Sequence, residues 1–373
     1  MLHDRPEPKK EVLSVSVFEA SVFDSHEAVH HFLDRATGLR AIVAVHSTAL
    51  GPAAGGCRLW CYPDEQLALT DALRLSRGMT YKNAIAGLPF GGGKAVLLAQ
   101  HGQQKSQQMF EAFGLFVDTL QGQYVTAEDV GVTTSDMRVV RTRTQYVSGL
   151  PQNDKSVGGD PSPWTALGVF LGIKAAVERE CGVNRLKDLR VAVQGIGNVG
   201  YQLCKLLHQE GAVLTVADVN AANVERLRRT LPAKEVNPSD ILLQDVDILA
   251  PCALGAVLNA TTIPDIKAKV IAGAANNQLA TDQDGYELAE RGILYAPDYV
   301  INAGGIISVA REYLGKSTVD QVSAEVNQIP TRLAKLFTVA RQSGQPTHVI
   351  ADEMAQSIVA KSDSPAPNLA TCA

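Results

Sequence analysis

Short apolar runs alternate along the chain with segments whose apolar residues recur at helical spacing. Three runs in the first third are typical of strands: LRAIVAVHST, KAVLLA and the start of YVTAEDVG. Two segments between them predict helices: PDEQLALTDALRLSRGMT, opened by Pro63 and Asp64, and SQQMFEAFGLFVDTLQG, from N-cap Ser106 to a stop at Gly122. This part of the chain is therefore expected to form an α/β domain.

The pattern restarts after a segment at about residues 147–164 that is rich in Gly, Pro, Ser, Asn and Asp, a composition that indicates a break between domains. A mostly apolar helix is predicted from Thr165. The next segment, LRVAVQGIGNVGYQLCKLLHQEGAVLTVADVN, has the pattern of strand, glycine turn, helix and strand. Three further runs are typical of strands: VDILAPCA, AKVIAGAANN and GILYAPDYV. Strands that alternate with helices predict a parallel sheet covered on both faces.

The expected fold class is therefore α/β with two domains, an N-terminal α/β domain and a doubly wound Rossmann domain, separated by a cleft. We predict the first domain over residues 1–150 and the second over 151–315. Residues 316–360 have a helical pattern and are expected to form C-terminal helices that can return to the first domain. The polar, proline-containing segment 361–373 predicts a disordered tail.

Composition narrows the class of partner. The net charge of −5, with no block of Lys and Arg, argues against nucleic acid and anionic membranes and favours a small-molecule substrate. The N-terminal segment has no apolar core and no run of about 18 apolar residues occurs, so we expect a cytoplasmic protein without signal peptide or membrane span. Of the six cysteines only Cys57 and Cys61 lie near one another, which predicts reduced thiols and no metal site.

The turn VQGIGNVG has the spacing of a dinucleotide-binding site, because it follows an apolar strand and opens a helix. Its candidate cofactor-binding residues are Gly195, Gly197, Asn198, Val199 and Gly200. Glycines at these positions permit a tight turn, backbone approach to a pyrophosphate and close packing of helix on strand. Asp218 ends the next strand 18 residues after Gly200. Its carboxylate can bind ribose hydroxyls and would repel a 2′-phosphate, so NAD is predicted rather than NADP.

The stretch GLPFGGGKAVL places three glycines before Lys94 without matching a triphosphate-binding loop, since Leu88 and Ala95 replace the required glycine and hydroxyl residue. Lys82 lies twelve residues earlier. A lysine buried among glycines loses hydration, which favours its neutral form, and a nearby cation adds to this effect. If both lysines face one cleft, one can act as a base and the other can bind a carboxylate. Spacing alone leaves open that either is a solvated surface residue.

Six segments, in order, resemble the glutamate/leucine/phenylalanine/valine dehydrogenases, most closely the leucine and phenylalanine members: GPAAGGCRL, RGMTYKNAIAGLPFGGGKAV, TAEDVG, VQGIGNVG, AGAANNQL and YAPDYVINAGG. The resemblance covers about residues 40–315. It implies NAD-dependent oxidative deamination of an L-amino acid to a 2-oxo acid and ammonia, together with the reverse reductive amination. It also implies a homo-oligomer whose N-terminal domain carries catalysis and oligomerisation.

The resemblance further implies roles for residues of the first domain. Lys82 would hold the substrate α-carboxylate, with the backbone of Gly55 and Gly56 approaching the substrate. Lys94 would be the base that activates water for attack on the imino carbon, and Asp129 would relay protons to and from the substrate nitrogen. The glycines before Lys94 would let substrate and nicotinamide approach the loop that carries it.

Residues of the second domain are implied in the same way. Asn276 and Asn277 resemble the family's asparagines near substrate and nicotinamide, and Thr165 resembles its contact to the carboxamide.

The residues that the resemblance places around the substrate side chain are uncharged and apolar: Ala54, Ala127, Ile306 and Val309. Glutamate-specific members have a lysine and a serine at the positions of Ala54 and Val309, so a γ-carboxylate here would be buried without a partner, at a cost of several kcal/mol. Leucine or another branched-chain amino acid is favoured, since Ala127 follows the leucine pattern. Aromatic amino acids such as phenylalanine or tryptophan are the alternative, because Ala54 matches some phenylalanine enzymes.

Two rival functions compete with this one. A 2-hydroxy acid dehydrogenase would need a histidine base paired with an acid, and none of the eight histidines lies in such a motif in the cofactor domain. A catalytically silent NAD-binding protein is the alternative from a different class, although Lys82, Lys94 and Asp129 are all present.

Overall fold

Two β-sheets organise the chain in the computed structural model, which describes residues 16–100, 105–150, 160–253, 255–315 and 318–363. The strands of the first sheet are β1 (Ala28–Asp34), β2 (Leu39–Ser47), β3 (Ala53–Trp60), β4 (Gly91–Leu98) and β5 (Tyr124–Glu128). Their order is β1-β2-β4-β3-β5. β2 is antiparallel to β1 and β4, whereas β3 is parallel to β4 and β5. The sheet is therefore mixed, with its parallel part at β4, β3 and β5.

Helices cover both faces of this sheet. They are α1 (Glu65–Ala86), α2 (Gln107–Thr119) and α3 (Thr134–Arg141). Successive residues of a strand face opposite sides, and in β2 Ile42 and Ala44 pack with buried residues of α1, whereas Ala41 and Val43 pack with buried residues of α2. The side chain of Asp64 caps α1, as predicted, by accepting a hydrogen bond from the backbone nitrogen of Leu67 at 2.8 Å.

The second sheet is parallel throughout. Its strands are β6 (Arg190–Gln194), β7 (Val213–Ala217), β8 (Lys234–Glu235), β9 (Ile248–Pro251), β10 (Val270–Ile271) and β11 (Leu294–Tyr295). The order β11-β10-β9-β6-β7-β8 runs outward in both directions from β6 and β9. This is the doubly wound order, in which ligands bind beyond the carboxyl ends of the strands at the point where the winding reverses. The predicted two-domain α/β fold class is confirmed.

The remaining helices surround the second sheet and complete the chain. They are α4 (Ser162–Cys181), α5 (Asn198–Gln209), α6 (Ala221–Arg228), α7 (Asp282–Glu290), α8 (Asp298–Ile301), α9 (Gly304–Tyr313), α10 (Val319–Val326), α11 (Ile329–Ser343) and α12 (Thr347–Asp363). Helix α12 packs against α1, where Gln356 donates a hydrogen bond to the Tyr81 hydroxyl at 2.9 Å and Asp352 lies 3.5 Å from Arg77. No helix in the described part of the chain is long and apolar enough to cross a bilayer.

Several local predictions need correction. β1, β3 and the two-residue edge strand β8 were not predicted, and α2 ends at Thr119 rather than at Gly122. The three glycines before Lys94 belong to β4 and not to a loop. Of the tail predicted from residue 361, residues 361–363 are the last turn of α12, and 364–373 lie outside the described residues. Residues 1–15 and 151–159 of the predicted domains also lie outside them, and the domain boundaries stay predictions.

Candidate active site

Parallel strands β3, β4 and β5 bring three charged side chains together. Gly56 pairs with Ala127 and Cys57 with Glu128, so Arg58 on β3 lies level with Asp129, which directly follows β5. Cys57 also pairs with Ala95, which puts Lys94 of β4 beside the same residues. Because these strands run in one direction, their functional side chains meet at one edge of the sheet.

Lys94 and Asp129 form an ion pair in which Lys94 is buried and Asp129 is half-buried. The Lys94 ammonium donates a hydrogen bond to Oδ2 of Asp129, and Lys94 is only 5% exposed. Burial alone would raise the pKa of the Asp129 carboxyl, but the charges of Lys94 and Arg58 outweigh it and hold that pKa below its usual value. The predicted base and the predicted proton relay are thus in direct contact.

Arg58, to which no sequence motif assigns a role, also contacts Asp129. Its Nε donates to Oδ2 of Asp129 at 3.2 Å, and its Nη1 lies 2.7 Å from Oδ2 of Asp71 on α1. The hydroxyl of Tyr62 donates to the same oxygen of Asp71. The pairing of Arg58 with Asp129 spans 71 positions of the chain, so local sequence spacing carries no signal for it.

Helix α1 approaches β4 closely because the strand has glycine at the contact. A Cβ atom on Gly92 would overlap the backbone nitrogen and the hydroxyl of Thr80, and one on Gly93 would overlap the ring of Tyr124. A Cβ atom on Gly55 would overlap the carbonyl oxygen of Gly93. These glycines accommodate neighbouring protein atoms, and the expected approach of substrate and nicotinamide stays a prediction.

The close contact places Lys82 of α1 beside Lys94. Lys82 is half-buried and has no hydrogen-bond or ion-pair partner among the described residues. Loss of hydration, reinforced by the charge of Lys94, lowers the pKa of Lys82 to about 8 even though Asp298 and Asp129 favour its charged form. An unpaired cation in such a position is suited to bind an anionic group.

Asp298 begins α8 and belongs to the second domain, and its role was also missed. It accepts hydrogen bonds from the backbone nitrogens of Gln278 at 3.0 Å and Tyr299 at 2.6 Å. Burial nevertheless raises the pKa of its carboxyl. Its charge favours the charged form of Lys82, so a group of the second domain acts on a lysine of the first.

The two predicted asparagines lie on the exposed turn that follows β10. Asn302 donates to Oδ1 of Asn276 at 2.9 Å, and Asn277 has a left-handed backbone with φ of 50°. Thr165 lies in the first turn of α4, where its hydroxyl donates to the carbonyl oxygen of Pro161 at 3.2 Å. A Cβ atom on Gly305 would overlap this hydroxyl, so the N-terminal ends of α4 and α9 are in contact.

The four predicted pocket residues lie on β3, β5 and α9, and each is partly exposed. Ala54 pairs with Gly92 on one side and Val125 on the other. Ala54 and Ile306 pack on the same core cluster, which also contains Phe90 of the first domain and Val193 of the second. Ala127 and Val309 are not among the side chains packed on that cluster.

The glycine turn has the shape that a dinucleotide needs. Gly195 has φ of 90°, Gly197 has no protein atom within 4 Å of the point where a Cβ atom would lie, and a Cβ atom on Gly200 would overlap the carbonyl oxygen of Gly195. No side chain caps the N-terminus of α5, whose free amides are suited to a pyrophosphate. Asp218 is half-buried and accepts a hydrogen bond from the backbone nitrogen of Ile196 at 2.6 Å, which fixes the carboxylate beside the turn.

No group of three or more His, Cys, Asp or Glu side chains within the described ranges is arranged to hold a metal ion.

Comparison with known proteins points to one family. Residues 25–146 match the profile described as Glu/Leu/Phe/Val dehydrogenase, dimerisation domain, and residues 160–227 and 221–363 match that of glutamate/leucine/phenylalanine/valine dehydrogenase. Leucine dehydrogenase of Geobacillus stearothermophilus is 50% identical over 331 residues, 89% of this chain and 90% of that protein. Valine dehydrogenase of Streptomyces albus is 45% identical over 340 residues, 90% of this chain and 93% of that protein. The crystal structure of L-tryptophan dehydrogenase from Nostoc punctiforme has a TM-score of 0.80 and 45% identity, and covers 91% of this chain and 97% of its own.

We predict that a carboxylate ligand held by Lys82 loses affinity as the pH rises through about 8. Only the ammonium form of Lys82 attracts the anion. The affinity for the carboxylate ligand is therefore highest below this pKa, and Kd rises about tenfold for each pH unit above it. Isothermal titration with a 2-oxo acid, whose carboxylate stays ionised throughout, measures the effect. The Lys82→Ala variant should bind weakly with no inflection in this range, and a wild-type Kd that is constant through the same range would contradict the assignment.

Proposed function

Since the chain belongs to the Glu/Leu/Phe/Val dehydrogenase family, we propose that it catalyses the reversible NAD-dependent oxidative deamination of a nonpolar L-amino acid to its 2-oxo acid and ammonia. The observation that carries this proposal is the Lys94–Asp129 pair with the unpaired Lys82 beside it. The chain is an amino acid dehydrogenase. The proposal concerns its coenzyme, its substrate and the role of each residue in the reaction.

In this proposal Lys82 binds the substrate α-carboxylate as an ammonium ion, with the backbone of Gly55 and Gly56 beside it. Lys94, in its neutral form, takes a proton from the water that attacks the imino carbon. Asp129 exchanges a proton with the substrate nitrogen and stabilises the positive charge that develops there. The bound coenzyme supplies hydride acceptance from the substrate α-carbon.

The coenzyme fits the residues of the second domain. The open space at Gly197 and the uncapped N-terminus of α5 suit a pyrophosphate, and the glycine turn continues through Asn198, Val199 and Gly200. Thr165, Asn276 and Asn277 are proposed to lie around the nicotinamide end, as in the family. The carboxylate of Asp218, held beside the turn, supports NAD over NADP.

The coenzyme proposal predicts a higher kcat/KM with NAD than with NADP, because a 2′-phosphate would meet the negative charge of Asp218. The Asp218→Ala variant should narrow the difference by relieving that repulsion. Steady-state rates with both coenzymes measure it, and equal kcat/KM values for the wild type would contradict the proposal.

We propose a branched-chain amino acid, leucine above all, as the substrate, and an aromatic amino acid as the second candidate. The uncharged side chains of Ala54, Ala127, Ile306 and Val309 support a nonpolar substrate and leave a γ-carboxylate without a partner. The names of the relatives span leucine, valine and tryptophan, three nonpolar amino acids of different size. This range fits a family in which the pocket stays apolar and its volume differs between enzymes.

We also propose that the protein works as a homo-oligomer, because residues 25–146 match a profile described as a dimerisation domain. Analytical ultracentrifugation at assay concentrations tests this, and a sedimenting monomer with full activity would contradict it.

Replacement of Lys94 tests the proposed chemistry. The Lys94→Ala variant should lose about 10²–10⁴-fold in kcat with little change in NAD affinity, because the lysine acts on the substrate and lies in the other domain from the glycine turn. Lys82→Ala should instead chiefly raise KM for the amino acid. Assays with a panel of L-amino acids, following NADH absorbance, measure both.

The matched control is Lys174→Ala, which removes an ion-paired lysine on α4, 3.2 Å from Glu210, and should leave kcat unchanged. Retention of more than about a tenth of wild-type kcat in Lys94→Ala would contradict general-base catalysis by this residue. A wild-type protein that binds NAD without turnover of any amino acid would support the silent binding protein instead.

Enlargement of Ala54 tests the substrate pocket. A leucine at this half-buried position of β3 should fill volume beside the substrate side chain and lower kcat/KM most for bulky substrates. We expect the kcat/KM ratio of phenylalanine to leucine to fall about tenfold or more in Ala54→Leu, which corresponds to the ~1–3 kcal/mol that steric fit in an apolar pocket supplies. Saturation curves on both proteins give the ratio. An unchanged ratio would show that Ala54 does not line the pocket, and a wild-type preference for glutamate would overturn the pocket assignment.

A further inference from the structure

We propose that Arg58 is a positioning residue that holds the Asp129 carboxylate in one orientation and keeps it ionised while Lys94 gains and loses a proton. The inference rests on the proposed function, because Lys94 and Asp129 have these parts only in that reaction. Arg58 itself contacts no reacting atom in this account and acts through Asp129.

The guanidinium of Arg58 is held at two ends. Its Nε lies 3.2 Å from Oδ2 of Asp129 and its Nη1 lies 2.7 Å from Oδ2 of Asp71. Asp71 is held in turn by the hydroxyl of Tyr62, which donates to the same oxygen. A planar cation fixed by two carboxylates has a defined orientation, which a flexible ammonium group does not match.

The contacts on Asp129 are unequal between its two oxygens. Lys94 and Arg58 both donate to Oδ2, and no side chain in the described part of the protein donates to Oδ1. Two donors on one oxygen restrict rotation of the carboxylate. The backbone nitrogen of Val130 also favours the ionised carboxylate. Because Oδ1 accepts from no side chain among the described residues, we assign it the hydrogen bond with the substrate nitrogen.

The charge of Arg58 matters when Lys94 is neutral. A base spends part of each cycle without its proton, and in that state a half-buried carboxylate paired only with the lysine would itself take up a proton. Arginine stays protonated in proteins, so Asp129 keeps a cationic partner in both states of Lys94. The other ionisable groups that act on this pair in the described part of the chain include Lys82 on α1, the buried thiol of Cys57 and the buried hydroxyl of Tyr124, and none of these three donates a hydrogen bond to the carboxylate.

Arg58 is reachable from outside the active site. Together with Asp71 and Tyr62 it lines an open groove of about 430 Å³, whose other walls include the half-exposed Trp60. A small guanidinium ion in solution can enter a groove of this size and reach the place that the arginine side chain leaves in a truncated variant.

The first experiment is chemical rescue. Arg58→Ala should lower kcat for amino acid oxidation by about 10²-fold while KM for the amino acid changes less than about threefold, because the chemistry and not carboxylate binding is disturbed. Guanidinium chloride at concentrations well below those that unfold the protein should restore at least about tenfold of that loss. Neither the wild type nor Lys94→Ala should gain activity from it, and Arg58→Lys should have intermediate kcat.

The second experiment uses two variants with opposite expected signs. Loss of the cation in Arg58→Ala makes protonation of the Lys94–Asp129 pair easier. The acid limb of the plot of kcat/KM against pH should therefore move to higher pH by about one unit. Asp71→Asn keeps the arginine and removes an anion, so the limb should move to lower pH. Ionisation of the substrate affects the profiles of all variants equally, so a difference between two profiles reports the enzyme. Arg190→Ala, which breaks a solvent-exposed arginine pair with Asp247 in the second domain, should leave kcat and the limb unchanged.

A structural role alone would lower the rate of both variants without moving the limbs in opposite directions. The proposal is overturned if folded Arg58→Ala keeps kcat within about threefold of wild type, or if guanidinium gives no rescue and the limb stays in place. If Arg58→Ala does not fold, the shift in Asp71→Asn and the intermediate kcat of Arg58→Lys decide the question in the same way. Wild-type turnover and its loss in Lys94→Ala test the proposed function separately, so either can fail without the other.

Discussion

Helix α1 lies against strand β4 with no space for a side chain at Gly92, and the rest of the site depends on this contact. A Cβ atom there would meet the backbone of Thr80, two residues before Lys82. The approach is held by Asn83, whose amide donates to the carbonyl oxygen of Gly91 at 2.6 Å. It brings the two lysines into one partly dehydrated space, where the charge of Lys94 disfavours the charged form of Lys82.

Two carboxylates balance these lysines, and they come from different parts of the molecule. Asp129 follows β5 of the first sheet and pairs with Lys94, whereas Asp298 begins α8 in the second domain and acts on Lys82. Lys82 therefore lies within the influence of charges from both sheets' domains. In the proposed function the same arrangement separates two tasks, because Lys82 has no partner to displace among the described residues and Lys94 has a carboxylate with which to share protons.

The chain's pattern predicts the two-domain α/β class and most of the apolar strands and amphipathic helices, since burial on one face imposes the spacing. It does not predict β3, because glycine ordinarily weakens a strand and here serves close packing. Ordered motifs point to Lys82, Lys94 and Asp129, but Arg58 meets Asp129 across 71 positions and only the parallel pairing of β3 with β5 reveals it. No motif sets the substrate, because in the proposed pocket it would depend on the joint volume of side chains from β3, β5 and α9.

The central claim is that Lys94 and Asp129 act as one catalytic unit, and a double-mutant cycle measures this most directly. Lys94→Ala, Asp129→Asn and the double variant would be compared with wild type by kcat/KM for leucine oxidation, with folding checked by circular dichroism. If the pair works as one unit, the double variant should be within about threefold of Lys94→Ala, since each single change already disables it. Losses that multiply in the double variant would show that the two residues act independently, and would contradict the account.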